Sequence, residues 1–228
     1  MHAIAGAVVT PFIVEVAGAL MVRPAVTHAP EEAAMLARVA EAVLVNLSQP
    51  DPLRREGAAR AAEAARGMNI PWVLDPVLAH LTVQRRRQVE SLLGWQPTII
   101  KPNRREVLAL SDEDLPVVEA AMALAERTGA VVLVSGEHDI VTDGKRLERV
   151  SGGHAFMDSM SGYGCALGMA CAALLAVAEP FVAAVTAAAL FKESGALAAA
   201  RSRGPGSFRA AFIDALWEVA GDGVEEDS

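Results

Sequence analysis

The sequence predicts an α/β fold with one mostly parallel central sheet and helices on both faces. Three observations lead there. Short β-branched runs alternate with longer segments rich in Ala, Leu, Arg and Glu. The runs are apolar almost throughout, as strands covered on both sides must be. They lead into the polar residues Asn46, Asp75, Asn103 and Ser135. An open α/β sheet gathers its ligands at that carboxyl edge of its strands.

Taken in order, MHAIAGAVVTPFIVEVAGALMV (1–22) reads as a buried first strand and a helix. It has the greasiness of a signal peptide but no Lys/Arg-rich start, and Pro11 and Glu15 interrupt it. Strands follow at 42–47 (AVLVNL), 70–75 (IPWVLD), 97–102 (PTIIKP) and 130–135 (AVVLVS). Helices are expected at 30–41, 53–67, 81–93 and 115–128, with Gly67 and Gly129 as their C-caps. The βαβα rhythm then gives parallel pairing through right-handed crossovers. Residues 138–150 (HDIVTDGKRLERV) predict a hairpin turning at Asp143-Gly144. Beyond Cys165 the chain reads as helix, broken at Glu179-Pro180.

The 228 residues suit one domain, 1–228, ending in an acidic, disordered tail over 221–228, with no repeat or linker. A net charge of −8 argues against a nucleic-acid partner. Arg85, Arg86 and Arg87, the longest cationic run, read as a solvated helix face. The apolar stretch 166–178 falls short of the roughly 20 residues that span a bilayer, so no membrane partner is expected. Two cysteines, Cys165 and Cys171, give no disulfide framework and fit a reducing cytoplasm.

The densest local signal is Ser161-Gly162-Tyr163-Gly164-Cys165, running straight into ALGMACAALLAVA. Two glycines let successive N–H groups converge, and the helix start behind them adds partial positive charge. It is neither G-x-G-x-x-G nor a P-loop, so by itself it fits an anion site or a tight turn equally well. Cys165 is expected as the first helical residue or its cap, where the helix dipole favours a thiolate. Its other reading is a small buried apolar residue, the reading that suits Cys171 in mid-helix.

With these residues in view, the chain resembles the hydroxyethylthiazole kinases, a family of ribokinase-like enzymes. Gly204-Pro205-Gly206-Ser207-Phe208 matches the family's GPGSF. Ser161 to Cys165 resembles its T-G-x-G-C loop. Ser135-Gly136-Glu137-His138-Asp139 resembles TGEVD, and Leu74-Asp75-Pro76-Val77 the start of LDPVGAG. Lys101-Pro102-Asn103 through Glu106 resembles R-G-N-x-x-E. Val8-Val9-Thr10 and His28-Ala29-Pro30-Glu31-Glu32 also keep the family's spacing. The likeness spans nearly the whole chain in order.

The resemblance implies an ATP-dependent kinase with Cys165 beside the acceptor hydroxyl. Gly162 and Gly164 would steady the moving phosphoryl group. It also implies Lys101, Ser135 and Asn103 at the nucleotide, and Asp75 and Glu106 holding Mg²⁺ mainly through water. Read without it, Asp75-Pro76 starts a turn and Asn103 with Glu106 caps a helix. The family also suggests a homotrimer and leaves use of K⁺ open.

Departures concentrate where the alcohol would sit. Gly6 stands in place of an Asn, and Pro11 and Glu15 replace two further Asn residues. Val26 replaces a Met whose main chain meets the thiazole. Leu78-Ala79-His80 replaces Gly-Ala-Gly, and Asn46 to Pro50 departs from NIGTL. A glycine-rich loop after Glu106 shrinks to Leu110-Ser111-Asp112-Glu113-Asp114. Tyr163 replaces a small residue, which the loop tolerates if the ring points outward. Gly6, Val26 and His80 thus become candidate substrate contacts, although a lone His after a strand is commonly a plain loop residue. Three functions remain: phosphorylation of 4-methyl-5-(2-hydroxyethyl)thiazole, the same chemistry on another small alcohol, or binding without turnover.

Overall fold

The computed structural model describes residues 1–111 and 115–221. The shortened loop at Asp112, Glu113 and Asp114 and the acidic tail from Asp222 lie outside the described residues. One eight-stranded sheet runs in the order β2-β1-β3-β4-β5-β6-β7-β8. Its strands are β1 (His2–Ile4), β2 (Ala25–Val26), β3 (Val43–Asn46), β4 (Trp72–Asp75), β5 (Ile99–Ile100), β6 (Val131–Val134), β7 (Asp139–Thr142) and β8 (Leu147–Val150). Pairing is parallel from β2 through β6, and the β6–β7 and β7–β8 pairs are antiparallel. The expected hairpin turns through Gly144 at φ 86°. The short edge strand β2 carries no strong sequence signal and was not among the expected strands.

Two cores flank the sheet. Helices α1 (Thr10–Ala19), α8 (Tyr163–Leu175), α9 (Pro180–Arg201) and α10 (Pro205–Gly221) cover one face. On the other lie α2 (Pro30–Val39), α3 (Pro52–Gly67), α4 (Val83–Leu93), α5 (Arg104–Ala109) and α6 (Val117–Thr128). A five-residue turn of helix, α7 (Ala155–Ser159), precedes the glycine loop. The expected break at Glu179-Pro180 is a helix start: the Glu179 carboxylate accepts from Val182 N at 3.1 Å and Pro180 takes the first turn. Gly129 caps α6 in the left-handed conformation, as expected. Gly67 does not cap α3. The helix runs through it to Met68, and Asn69 takes the left-handed position at φ 55°, since Asn is among the few residues that adopt it readily.

Among the described residues α9 alone has the length and apolar character to cross a membrane. Phe181, Ala184, Ala188, Phe191 and Ala198 are nonetheless buried in the fold, so it reads as a core helix. At its centre Phe191 and Phe212 meet edge-on at 5.2 Å, and Phe212 also meets Tyr163 at 4.9 Å. Phe212→Ala therefore removes a fully buried ring that joins α8, α9 and α10. The expected loss is about 3–5 kcal/mol of unfolding free energy, read from urea denaturation followed by circular dichroism.

Candidate functional site

Parallel register sets the polar edge. Asn46 and Asp75 are cross-strand partners at the ends of β3 and β4. The Asn46 amide donates to Asp75 Oδ2 at 2.6 Å. Just past β5, Lys101 is tied into the sheet by its N–H to Leu74 O. Its ammonium stands 3.2 Å from Asp75 Oδ1, and both side chains are buried. Asn103 and Ser135 pair as an isolated bridge where β5 and β6 run out. Four strand ends thus bring Asn46, Asp75, Lys101, Asn103 and Ser135 to one edge.

Glu106 completes this edge through the helix-capping arrangement. Asn103 caps α5, accepting from Arg105 N and Glu106 N. Glu106 Oε2 returns a bond from Asn103 N at 2.8 Å, and Oε1 accepts from Leu78 N at 2.7 Å. The helix-cap reading of this pair is therefore realised. It also leaves a buried carboxylate beside Lys101. Leu78 holds φ 60° at a position where the resembling family has glycine, a conformation costly for a side-chain-bearing residue.

Gly162 is the N-cap of α8 at φ 106°, backbone that a Cβ would strain. Cys165 is accordingly the third helical residue rather than the first or the cap. A Cβ on Gly164 would lie only 3.7 Å from Lys101 Nζ, so the buried cation sits directly under the loop. Gly168, one turn on, lets α8 approach the acid: its Cβ would stand 3.2 Å from Leu44 Cδ1 and 3.6 Å from Asp75 Oδ2.

Electrostatics correct one expectation outright. Helix position favours a Cys165 thiolate, but burial pushes the thiol up to about 12. The Asp75 charge adds to that rise, and Lys101 and the Asn46 amide offset it only in part. Cys165 is thus a neutral thiol near neutral pH. Burial also raises Asp75, to about 6. For Lys101 burial acts downward, but attraction to Asp75 and then Glu106 outweighs it and keeps the ammonium charged.

Tyr163 does not point outward. Its ring is buried against Phe12 at 4.6 Å, Phe212 at 4.9 Å and Phe208 at 5.7 Å, with its hydroxyl unpartnered. A residue that looked like an intrusion into the loop is the peg that seats it.

A cavity of about 730 Å³ opens beside the loop. Asn103, Ser135, Tyr163 and Gly164 line it, with Gly136, Asp139 and Lys192 among its other walls. Gly6, Val26 and His80 do not line this cavity. Val26 lies on the outermost strand, β2. His80 lies in the turn after β4, its Nδ1 buried without a partner. Gly6 has a packing reason to be glycine: its Cβ would lie 2.8 Å from Ser48 O, Ser48 Oγ and Gln49 Oε1. Its N–H instead donates to Ser48 Oγ, which donates in turn to Asn46 Oδ1. Glu15 pairs with Arg209 on α10, and Pro11 opens α1. Sequence reasoning took Asn46 as a strand end and the start of a stretch departing from NIGTL, named Asp139 only within the stretch resembling TGEVD, and passed over Lys192. A lysine inside an Ala-rich apolar helix was the available signal.

The profile of the Hydroxyethylthiazole kinase family matches residues 1–222. The hydroxyethylthiazole kinase of Clavibacter sepedonicus is 40% identical over 229 residues, covering 95% of this chain and 83% of that protein. That of Rhizobium etli strain CIAT 652 is 41% identical over 216 residues, covering 89% and 84%. The hydroxyethylthiazole kinase structure from Pyrococcus horikoshii OT3 superposes with a TM-score of 0.91 at 30% identity, covering 98% of this chain and 90% of that one. An ADP complex of Bacillus subtilis pyridoxal kinase shares the fold alone, with a TM-score of 0.67 at 18% identity over 85% and 90% of the two chains. On the strength of the whole-length profile match and these relatives, the chain belongs to the hydroxyethylthiazole kinase family.

Proposed function

We propose that this protein transfers the γ-phosphoryl group of ATP to the hydroxyethyl oxygen of 4-methyl-5-(2-hydroxyethyl)thiazole, in thiamine biosynthesis or salvage. One observation carries the reading. A buried ammonium, Lys101, stands beneath a glycine loop at a helix start, and the loop lines a nucleotide-sized cavity. Backbone N–H groups, the helix dipole and a fixed cation together suit a phosphoryl group in transit. Gly162 and Gly164 fill the cradle role, while Asn103 and Ser135 face the nucleotide.

Asp75 and Glu106 suit a metal ion held through water. Among the described residues no three acidic, His or Cys side chains cluster as a direct ligand set. Asp75 Oδ1 is, however, a buried acceptor with no hydrogen bond, met only by the Lys101 charge. That open lone pair fits a water on Mg²⁺. When bound, Mg²⁺ would neutralise part of the phosphate charge. A neutral Cys165 is a poor base, so its role is contact and orientation of the acceptor hydroxyl. A loose phosphoryl transition state needs little deprotonation before attack.

Residues 1–228 act in this reading as one kinase domain, in the reducing cytoplasm that free Cys165 and Cys171 suit. Exposed Met21, Val26, Met35 and Val39 support self-association, and the family resemblance sets the number at three. Sedimentation should give three times the 23.8 kDa chain, and a monomer would refute the assembly.

An ATP-consumption assay should show turnover with the thiazole alcohol. Turnover confined to another small alcohol would sink the substrate, a possibility kept in play by the altered loop at Leu78, Ala79 and His80. No turnover with MgATP-dependent thermal stabilisation would mark a binding protein. Cys165→Ala should lower kcat by about 10²-fold, the cost of misplacing the acceptor hydroxyl, while ATP affinity holds. In the wild type, iodoacetamide should label Cys165 slowly at pH 7, and the rate should climb about tenfold per pH unit to pH 10 because thiolate forms only near the raised value. A labelling plateau below pH 9 contradicts the neutral thiol.

A further inference from the structure

Lys192 is a buried lysine in the apolar middle of α9 that the phosphoryl-transfer reading leaves unused. Its ammonium donates to Gly136 O at 2.6 Å and Glu137 O at 3.0 Å, and stands 3.2 Å from Asp139 Oδ1. Asp139 Oδ1 also accepts from Gly136 N at 2.9 Å, closing the turn on itself. Gly136, Glu137 and Asp139 all line the cavity. The same lysine holds a second wall. Gly153 N donates to Lys192 O at 3.0 Å, and a Cβ on Gly152 would lie 3.3 Å from Lys192 Cβ. Three residues on, along the same helix face, Gly195 leaves room for this wall: its Cβ would collide with Met157 Sδ and lie 3.2 Å from Gly153 Cα. Two cavity walls from distant stretches of chain thus meet at one residue, the first held by its ammonium and the second by its backbone carbonyl.

We infer that Lys192 is a positioning residue that fixes the nucleotide side of the site, setting ATP affinity rather than the phosphoryl-transfer step. The inference rests on the reading of this cavity as the ATP site. A buried ammonium has three protons to place. Two of its three partners are backbone carbonyls of the cavity wall, so its satisfaction dictates the shape of that wall. Losing it frees both carbonyls to turn and strands Asp139 in the interior.

The test compares wild type, Lys192→Met and Lys192→Met/Asp139→Asn. The single variant should raise KM for ATP about tenfold or more, with the loss falling on ATP KM rather than on kcat or the KM of the alcohol. The double variant removes the stranded carboxylate and the instability it causes, yet its ATP KM should stay raised because Gly136 and Glu137 still lack their donor. An ATP KM that returns to the wild-type value in the double variant overturns the inference, since Lys192 would then only neutralise Asp139. An unmoved ATP KM in the single variant does the same. If the wild type binds ATP without turning it over, ATP Kd by calorimetry replaces KM with the same expectations. Wild-type protein that neither binds nor uses ATP overturns the ATP reading itself and this inference with it.

Discussion

Two acidic residues share one lysine at the polar edge of the sheet, and most of the site follows from that imbalance. Asp75, Glu106 and Lys101 are all buried, and Asp75 and Lys101 face each other at 3.2 Å. Buried ion pairs add little net stability, because desolvation offsets attraction. Removing one partner is costly, about 3–5 kcal/mol. The arrangement is therefore poorly explained as a folding device and well explained as a poised charge site. Its geometry is over-determined: Asn46 fixes one carboxylate, two backbone N–H groups fix the other, and Gly168 lets α8 close over Asp75.

That same charge set decides what Cys165 can be. A helix start alone would draw the thiol toward its anion, by an interaction worth at most about 2 kcal/mol. Burial next to Asp75 costs a thiolate more than that, and the thiol stays protonated. Position on a helix was visible in the sequence. The neighbour across the sheet was not, because Asp75 lies far away along the chain and meets α8 only through the fold.

The legible parts share a physical character. Strands β3 to β6 announced themselves because both faces are buried and their residues are apolar without alternation. Their polar ends marked the edge where Asn46, Asp75, Asn103 and Ser135 gather. The hairpin followed from Asp143-Gly144, and α9 from its Glu-Pro start. Failures came where packing decided. Gly67 lost its cap role to Asn69, Gly6 proved to be a close approach to Ser48, and Tyr163 turned inward. Two-residue β2 and short α7 lack the length for any periodic signal. Lys192 was legible only as an oddity, a charge amid alanines, since its partners lie 55 and 56 residues away.

The start of α10 shows how a signature can be diagnostic without lining the cavity. Ser207 closes that start, its Oγ accepting from Arg203 N and donating to Gly204 O. Phe208, next along, is wholly buried and packs against Tyr163 and Phe156. GPGSF thus acts as a bracket, carrying the end of the chain back to the ring that seats the glycine loop. Its freedom to vary is set by the shape of that aromatic seat rather than by the chemistry of any ligand, so a change of substrate can leave it untouched.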